Sequence, residues 1–225
     1  MAATRRCREL LSWRFLATAM SFLAACSEVS AQSSAVGSVN DARELLAWVA
    51  RTQDNAGQNF IVIDKRRATA DVFDGGGRLL GRSAVLLGSA IGDDSVPGIG
   101  TRPLSQVLPQ ERTTPAGRFM AEPGHNAQGE DIVWVEYDTA VSLHRVRLAN
   151  PRDKRLERLA TPTAADNRIS YGCINVPVNF YEGVVRPAMA NRGGVVYVLP
   201  EQKSLQQVFW PVQRPAQSEA PRAQP

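Results

Sequence analysis

Apolar side chains recur along the chain with two different periods, and the change between them divides it. Ala42, Leu45, Leu46, Val49 and Ala50 stand at helical spacing until Asp54-Asn55-Ala56-Gly57 interrupts them, which predicts a one-sided helix within 38–57, opened by Ser38 and Asp41 as an approximate capping box. From Phe60 the period shortens. Phe60–Ile63, Thr69–Phe73 and Leu79–Leu87 are β-rich runs, and Asp74-Gly75-Gly76-Gly77 supplies a turn between the second and third, so they read as antiparallel neighbours. Gly88–Arg112 holds glycine, proline and polar residues with little periodicity and reads as a long loop or flap, a kind of segment that often carries function.

A second group of strands is predicted at Arg118–Ala121, Ile132–Tyr137 and Val141–Val146. The middle run is apolar enough for burial on both faces, and the third would place His144 inside a sheet. A charged, proline-containing excursion from Asn150 to Arg168 leads into Ile169-Ser170-Tyr171-Gly172-Cys173-Ile174-Asn175. Pro177 suits the first turn of a helix whose apolar face is Phe180, Tyr181, Val184 and Val185. Val195–Leu199 is a closing strand, Ser204–Phe209 a helical turn, and Pro211–Pro225 a polar, proline-rich tail expected to be disordered. The expected class is mainly β with flanking helices, an α+β fold in one domain.

Composition leaves this picture standing, since 44% hydrophobic and 21% charged residues suit a buried core and exclude a disordered or fibrous chain. The amino terminus changes it. Arg5, Arg6, Arg8 and Arg14 precede an uncharged stretch from Phe15 to Ala25, so residues 1–25 read as an export signal and 26–37 as a tether. Leu23-Ala24-Ala25-Cys26 has the form of a lipobox, which would leave a lipid anchor on Cys26. Val29-Ser30-Ala31 offers an ordinary cleavage site instead, and an uncleaved anchoring helix is the third possibility. Removing residues 1–25 deletes four arginines and one glutamate and lowers the formal net charge from +4 to +1. A near-neutral remainder gives no electrostatic case for nucleic acid.

The cysteine count is more telling than the charge. Cys7 falls in the signal and Cys26 is lipidated or lost, so Cys173 is the one internal thiol and no intrachain disulfide can form. In an oxidising compartment such a thiol is either a small buried hydrophobe or a reactive group kept for its chemistry. A thiol reacts as thiolate, and an imidazole is the commonest means of producing one near neutral pH. Of the two histidines, His125 sits in the turn-like Pro123-Gly124-His125-Asn126 and His144 on a core strand, so His144 is paired with Cys173; read alone, it is more often a satisfied core histidine. Gly172 permits a sharp turn and a cradle of peptide N–H groups for an oxyanion, and the Pro177 helix would set its positive end near Cys173. Asn175 reads as a helix cap or a substrate contact.

Ser170-Tyr171-Gly172-Cys173-Ile174-Asn175 resembles the cysteine signature of L,D-transpeptidase (YkuD-like) catalytic domains, in which serine or threonine, histidine, glycine, cysteine, a hydrophobic residue, and arginine or asparagine follow one another. Thr114-Pro115-Ala116-Gly117-Arg118-Phe119 resembles the family's threonine-proline-x-glycine-x-phenylalanine segment, and Ile61-Val62-Ile63-Asp64 through Gly88 its opening strands. The likeness covers about residues 58–200, leaving 201–225 as a turn and tail. It implies a YkuD-like mixed β-sheet or sandwich domain and acyl transfer on peptidoglycan stem peptides in the periplasm or cell envelope. Cys173 would attack the carbonyl of the L-centred third residue and expel the terminal D-alanine. His144 would correspond to the histidine that activates the cysteine, and Ser170, Tyr171, Gly172, Asn175 and Arg145 to oxyanion or substrate-binding positions. Carbapenem-type β-lactams would acylate the same sulfur, and no metal or organic cofactor is implied.

Two positions depart from the family pattern. Tyr171 stands where histidine is usual, and Arg145 where glycine usually follows the catalytic histidine. Both bear on donor and acceptor preference more than on the nucleophile. Two other functions use the same residues: a wall-binding lipoprotein with a degenerate site, and an L,D-carboxypeptidase or hydrolase that passes the same thioester to water.

Overall fold

The computed structural model describes residues 40–210. The signal, the tether, Ser38 and the tail from Pro211 onward lie outside the described residues.

The helix expected from the first apolar period is present over 40–52 (α1), with Leu45 and Val49 buried. The strands that follow obey the period-2 rule with an addition: both faces are covered. In β1 (Phe60–Asp64) every residue is buried. Phe60 and Val62 face a cluster with Leu45, Val49, Tyr197 and Leu205, whereas Ile61 and Ile63 face a larger one. Each such large apolar side chain contributes roughly 1.5–3 kcal/mol on burial. Phe60 stacks on Phe73 of β2 (Thr69–Phe73) with ring centroids 4.9 Å apart, a cross-strand pair that holds the register.

β3 (Leu79–Ala84) pairs antiparallel with β2 across the Asp74–Gly77 turn, whose Asp74 carboxylate accepts from the backbone N–H groups of Gly76 and Arg78. The long Leu79–Leu87 run is broken. Its last part is a separate strand, β4 (Leu87–Gly88), which pairs with β8 (Arg168–Ser170). The flap from Gly88 to Arg112 contains three short 3-10 turns, at Ile99–Thr101, Leu104–Gln106 and Pro109–Glu111.

β5 (Gly117–His125), β6 (Asp131–Glu136) and β7 (Val141–Arg145) form an antiparallel meander, and β9 (Ile174–Val176) adds parallel to β7. The closing strand, β10 (Gly194–Val198), is closing only in sequence. It enters the middle of the sheet, parallel to β1 and antiparallel to β5, to give the order β3-β2-β1-β10-β5-β6-β7-β9. The excursion before β8 includes a helix, α2 (Arg155–Ala160).

The larger cluster joins both halves of this sheet to one further helical segment, α3. It runs through Val178–Phe180, a π-wound turn Tyr181–Val185 and Arg186–Met189, and it buries Phe180, Tyr181, Val185 and Met189. A last helix, α4 (Leu205–Phe209), is capped by Ser204, whose hydroxyl accepts from Gln207 N–H and whose own N–H donates to the Gln207 side-chain oxygen. The architecture is a mixed α+β fold dominated by one large sheet, as the patterning implied.

Three local expectations are corrected. Cys173 does not stand at a helix start, because β9 intervenes before α3, so no helix dipole reaches it from that side. Asn175 is accordingly a strand residue and caps nothing; Pro177 holds the cap position, without a side-chain hydrogen bond. Pro123–His125 also differ, forming the end of β5 while the turn falls on the four residues after it.

Candidate active site

The loop between β8 and β9 places Cys173, and its own backbone is fastened from several directions. Gly172 has φ 132°, and a Cβ there would lie 2.8 Å from the Thr113 carbonyl, so the close approach of the flap's end requires glycine. Ser170, buried at the end of β8, accepts from Gly172 N–H at 3.1 Å and donates to the Cys173 carbonyl at 2.6 Å. That carbonyl also accepts from Asn175 Nδ2 at 3.2 Å. The Gly172 carbonyl accepts from Thr114 Oγ1 at 2.8 Å.

These bonds define what each candidate does locally. Ser170 and Asn175 shape the loop from beneath. Asn175 is buried, and its Oδ1 accepts from Arg155. The Gly172 N–H, considered above as an oxyanion donor, is occupied by Ser170. Tyr171 alone of the loop turns outward, 41% exposed.

The thiol itself is partly exposed, and Cys173 is a free cysteine among the described residues. Its Sγ lies 3.5 Å from Ser142 Oγ and 3.6 Å from the Ala140 carbonyl, to which the S–H donates. The β7/β9 register explains the first contact. Leu143 pairs with Ile174 and His144 with Asn175, so one step back sets Ser142 beside Cys173. Sequence reading missed Ser142, although its place two residues before His144 puts both side chains on one sheet face.

His144 therefore stands one alternation further along β7, about 7 Å of strand from Ser142. Among the described residues no hydrogen bond joins it to Cys173. Its Nδ1 lies 2.7 Å from the Arg145 carbonyl, which can only accept. Nδ1 thus carries a proton, and in the neutral ring Nε2 keeps its lone pair. Burial pushes the imidazole below its ordinary value; the Arg145 carbonyl opposes this, and the positive charges of Arg147 and Arg155 reinforce it. The outcome is a neutral imidazole with the tautomer of a base.

A cavity of about 370 Å³ opens beside His144, lined among others by Glu130, Asp131, Arg147, Leu148 and Val178. A second, of about 470 Å³, lies across Asp131 and Ile132 and is also lined by His125, Tyr181 and Met189. Neither is lined by Cys173. Arg145, which borders the first, has its guanidinium paired with Asp131 and Glu182 and stacked 4.2 Å over the Tyr181 ring. It ties β7 to β6 and α3.

Beneath the flap is a buried ionic cluster that patterning did not single out. Lys65, fully buried, donates to the carbonyls of Gly92 and Thr114 and to Asp93 Oδ1 at 2.7 Å. Asp93 in turn accepts from the N–H groups of Glu201, Gln202 and Lys203. Arg168 completes the cluster by pairing with Glu201. Every charge there has a partner, which is the condition for burying it without large cost.

No family model matches the chain, and no curated protein matches it. Among solved structures it is similar to a crystal structure of the L,D-transpeptidase from Xylanimonas cellulosilytica DSM 15894, with 14% identity and a TM-score of 0.36 over 63% of this chain. The chain spans 60% of that structure's length. The likeness is one of fold outline, and nothing about chemistry follows from it.

Proposed function

We propose that the protein is a cysteine acyltransferase of the L,D-transpeptidase type acting on peptidoglycan stem peptides. The observation that carries this reading is the placement of Cys173: a partly exposed thiol, its backbone held by Ser170, Asn175 and Thr114, immediately before a strand paired with that of His144. The resemblance of Ser170–Asn175 and of Thr114–Phe119 to the family's two motifs supplies the substrate class.

In this mechanism the Cys173 proton passes to Nε2 of His144 and Sγ attacks the carbonyl of the stem's third residue. The tetrahedral intermediate collapses, the C–N bond breaks, and the terminal D-alanine leaves as an amine with the proton from the imidazolium. An acceptor amine then attacks the thioester and yields a proton to His144, and the C–S bond breaks to restore the thiol. The reaction belongs to the periplasm or cell envelope, reached through the signal in residues 1–25 and held there by lipid on Cys26.

Purified protein incubated with disaccharide tetrapeptides and analysed by mass spectrometry tests the reading. Cross-linked dimers or exchanged terminal residues are expected; tripeptide alone makes it a hydrolase. The absence of a hydrogen bond between His144 and Cys173 favours the second reading, a stem-peptide binder without turnover, and unchanged substrate together with measurable binding would establish that one.

A further inference from the structure

We propose that Arg112, shelved on Tyr171, anchors a carboxylate of the acyl-donor peptide, the one on the residue that leaves; the proposal rests on reading Cys173 as the acyl-transfer nucleophile. Arg112 ends the flap. Its guanidinium carbon sits 4.0 Å over the centroid of the Tyr171 ring, two residues before Cys173. Among the described residues its guanidinium makes one hydrogen bond to protein, from Nη2 to the Val107 carbonyl at 3.2 Å, and Nε is enclosed without a partner.

Among the described residues no carboxylate pairs with it, whereas Arg66, Arg82, Arg118, Arg145 and Arg168 each hold at least one. A guanidinium is a planar fork of donors matched to a carboxylate, and an aromatic face fixes its plane without using those donors. The backbone beneath it is fixed too. The Arg112 carbonyl accepts from Ala90 N–H at 3.1 Å, and its neighbour Thr113 lies against Gly172. Arg112 is therefore preorganised at the rim of the thiol loop with donors to spare.

This also accounts for the tyrosine at position 171. A phenol ring offers the cation a π face, whereas an imidazole there could protonate and repel it. In a peptide cut at its last bond, the terminal carboxylate is two bonds beyond the scissile nitrogen, so a site on the residue beside the nucleophile's glycine is suitably near.

The test compares an N-acetylated stem tetrapeptide ending in a D-alanine carboxylate with the same peptide ending in a carboxamide. Binding to Cys173→Ala protein is measured by calorimetry, with Arg112 kept, or replaced by Gln or Lys. With Arg112 the acid should bind roughly 10- to 100-fold tighter than the amide, the range of a charged hydrogen-bonded contact. Arg112→Gln should bring the two together, and Arg112→Lys should keep part of the preference, with thermal melts showing that the variants fold. Equal binding of acid and amide to the Arg112 protein, a preference that survives in Arg112→Gln, or no binding of either peptide overturns the proposal. Turnover by wild-type protein is followed separately. Retained carboxylate preference with no product from either donor would refute acyl transfer and leave the Arg112 site standing.

Discussion

The hydroxyl of Thr114 donates to the carbonyl of Gly172 at 2.8 Å across 58 positions of sequence. The same oxygen accepts from Gly88 N–H at 2.9 Å, and the Thr114 carbonyl is held by Lys65. One buried side chain thus connects β4, the end of the flap and the residue before Cys173.

Thr114→Val keeps the shape and removes both bonds, leaving a buried N–H and a buried carbonyl unpaired, at a cost of about 1–3 kcal/mol. Urea denaturation should show that loss, and Thr114→Ser should restore most of it. Iodoacetamide should also react with Cys173 at an altered rate in Thr114→Val and at the native rate in Thr114→Ser. An unchanged rate in both would mean that the bond stabilises the fold without positioning the thiol.

Cys173→Ser should lose nearly all turnover while melting close to wild type, since oxygen replaces sulfur with little change of volume and is the far weaker nucleophile at neutral pH. Incubation of wild-type protein with a carbapenem, followed by peptide mapping, should place the adduct on the peptide containing Cys173. An adduct elsewhere, or wild-type turnover by the serine variant, would remove Cys173 from the mechanism.

The pH behaviour of His144 follows from its burial. Its lowered value keeps the base form present as pH falls past the ordinary 6.5, so its contribution to Cys173 alkylation should disappear only below that. Stability moves with it. The unfolded imidazole protonates first, so folding should weaken as pH drops from 6.5 toward the folded value. An NMR titration of the imidazole resonances, assigned with His125→Ala, should place the His144 midpoint below 6.5; a midpoint above it contradicts the burial argument. His144→Ala should slow alkylation near neutral pH and His125→Ala should not.

Burial raises the Asp93 carboxyl, but the hydrogen bonds from Lys65 and from the N–H groups of Lys203 and Glu201 outweigh it and hold the group below its ordinary 3.8. A depressed carboxylate contributes stability that is complete above 3.8 and is lost as pH falls through the lowered value. Asp93→Asn should therefore destabilise the protein by about 3 kcal/mol at neutral pH, because Lys65 loses its nearest counter-charge. Denaturant melts across the acid range should show a smaller acid-induced loss in Asp93→Asn than in wild type. A neutral-pH cost near zero would show that Glu201, 3.5 Å from Lys65, suffices alone.

Much of the site was legible before the structure because its parts are local. Cys173, the glycine before it and His144 on a strand can each be read from a few neighbouring residues. Ser142 was within reach of the same alternation and was overlooked. Arg112 was not within reach, since the flap has no period from which a partner for Tyr171 might be inferred.

Sequence by itself determined the β-rich runs that make β1 and β2, the Asp74–Gly77 turn between strands, the one-sided α1 and the mainly β class, because each depends on side chains a few positions apart. Only the tertiary structure decided that β10 enters between β1 and β5, that β9 separates Cys173 from α3, and that Thr114, Ser142 and Arg112 converge on the thiol loop. Strand order and such meetings come from burying two faces of one sheet at once, and from satisfying each buried polar group with whatever the folded chain brings near. Those requirements act between residues tens of positions apart, where no local period records them.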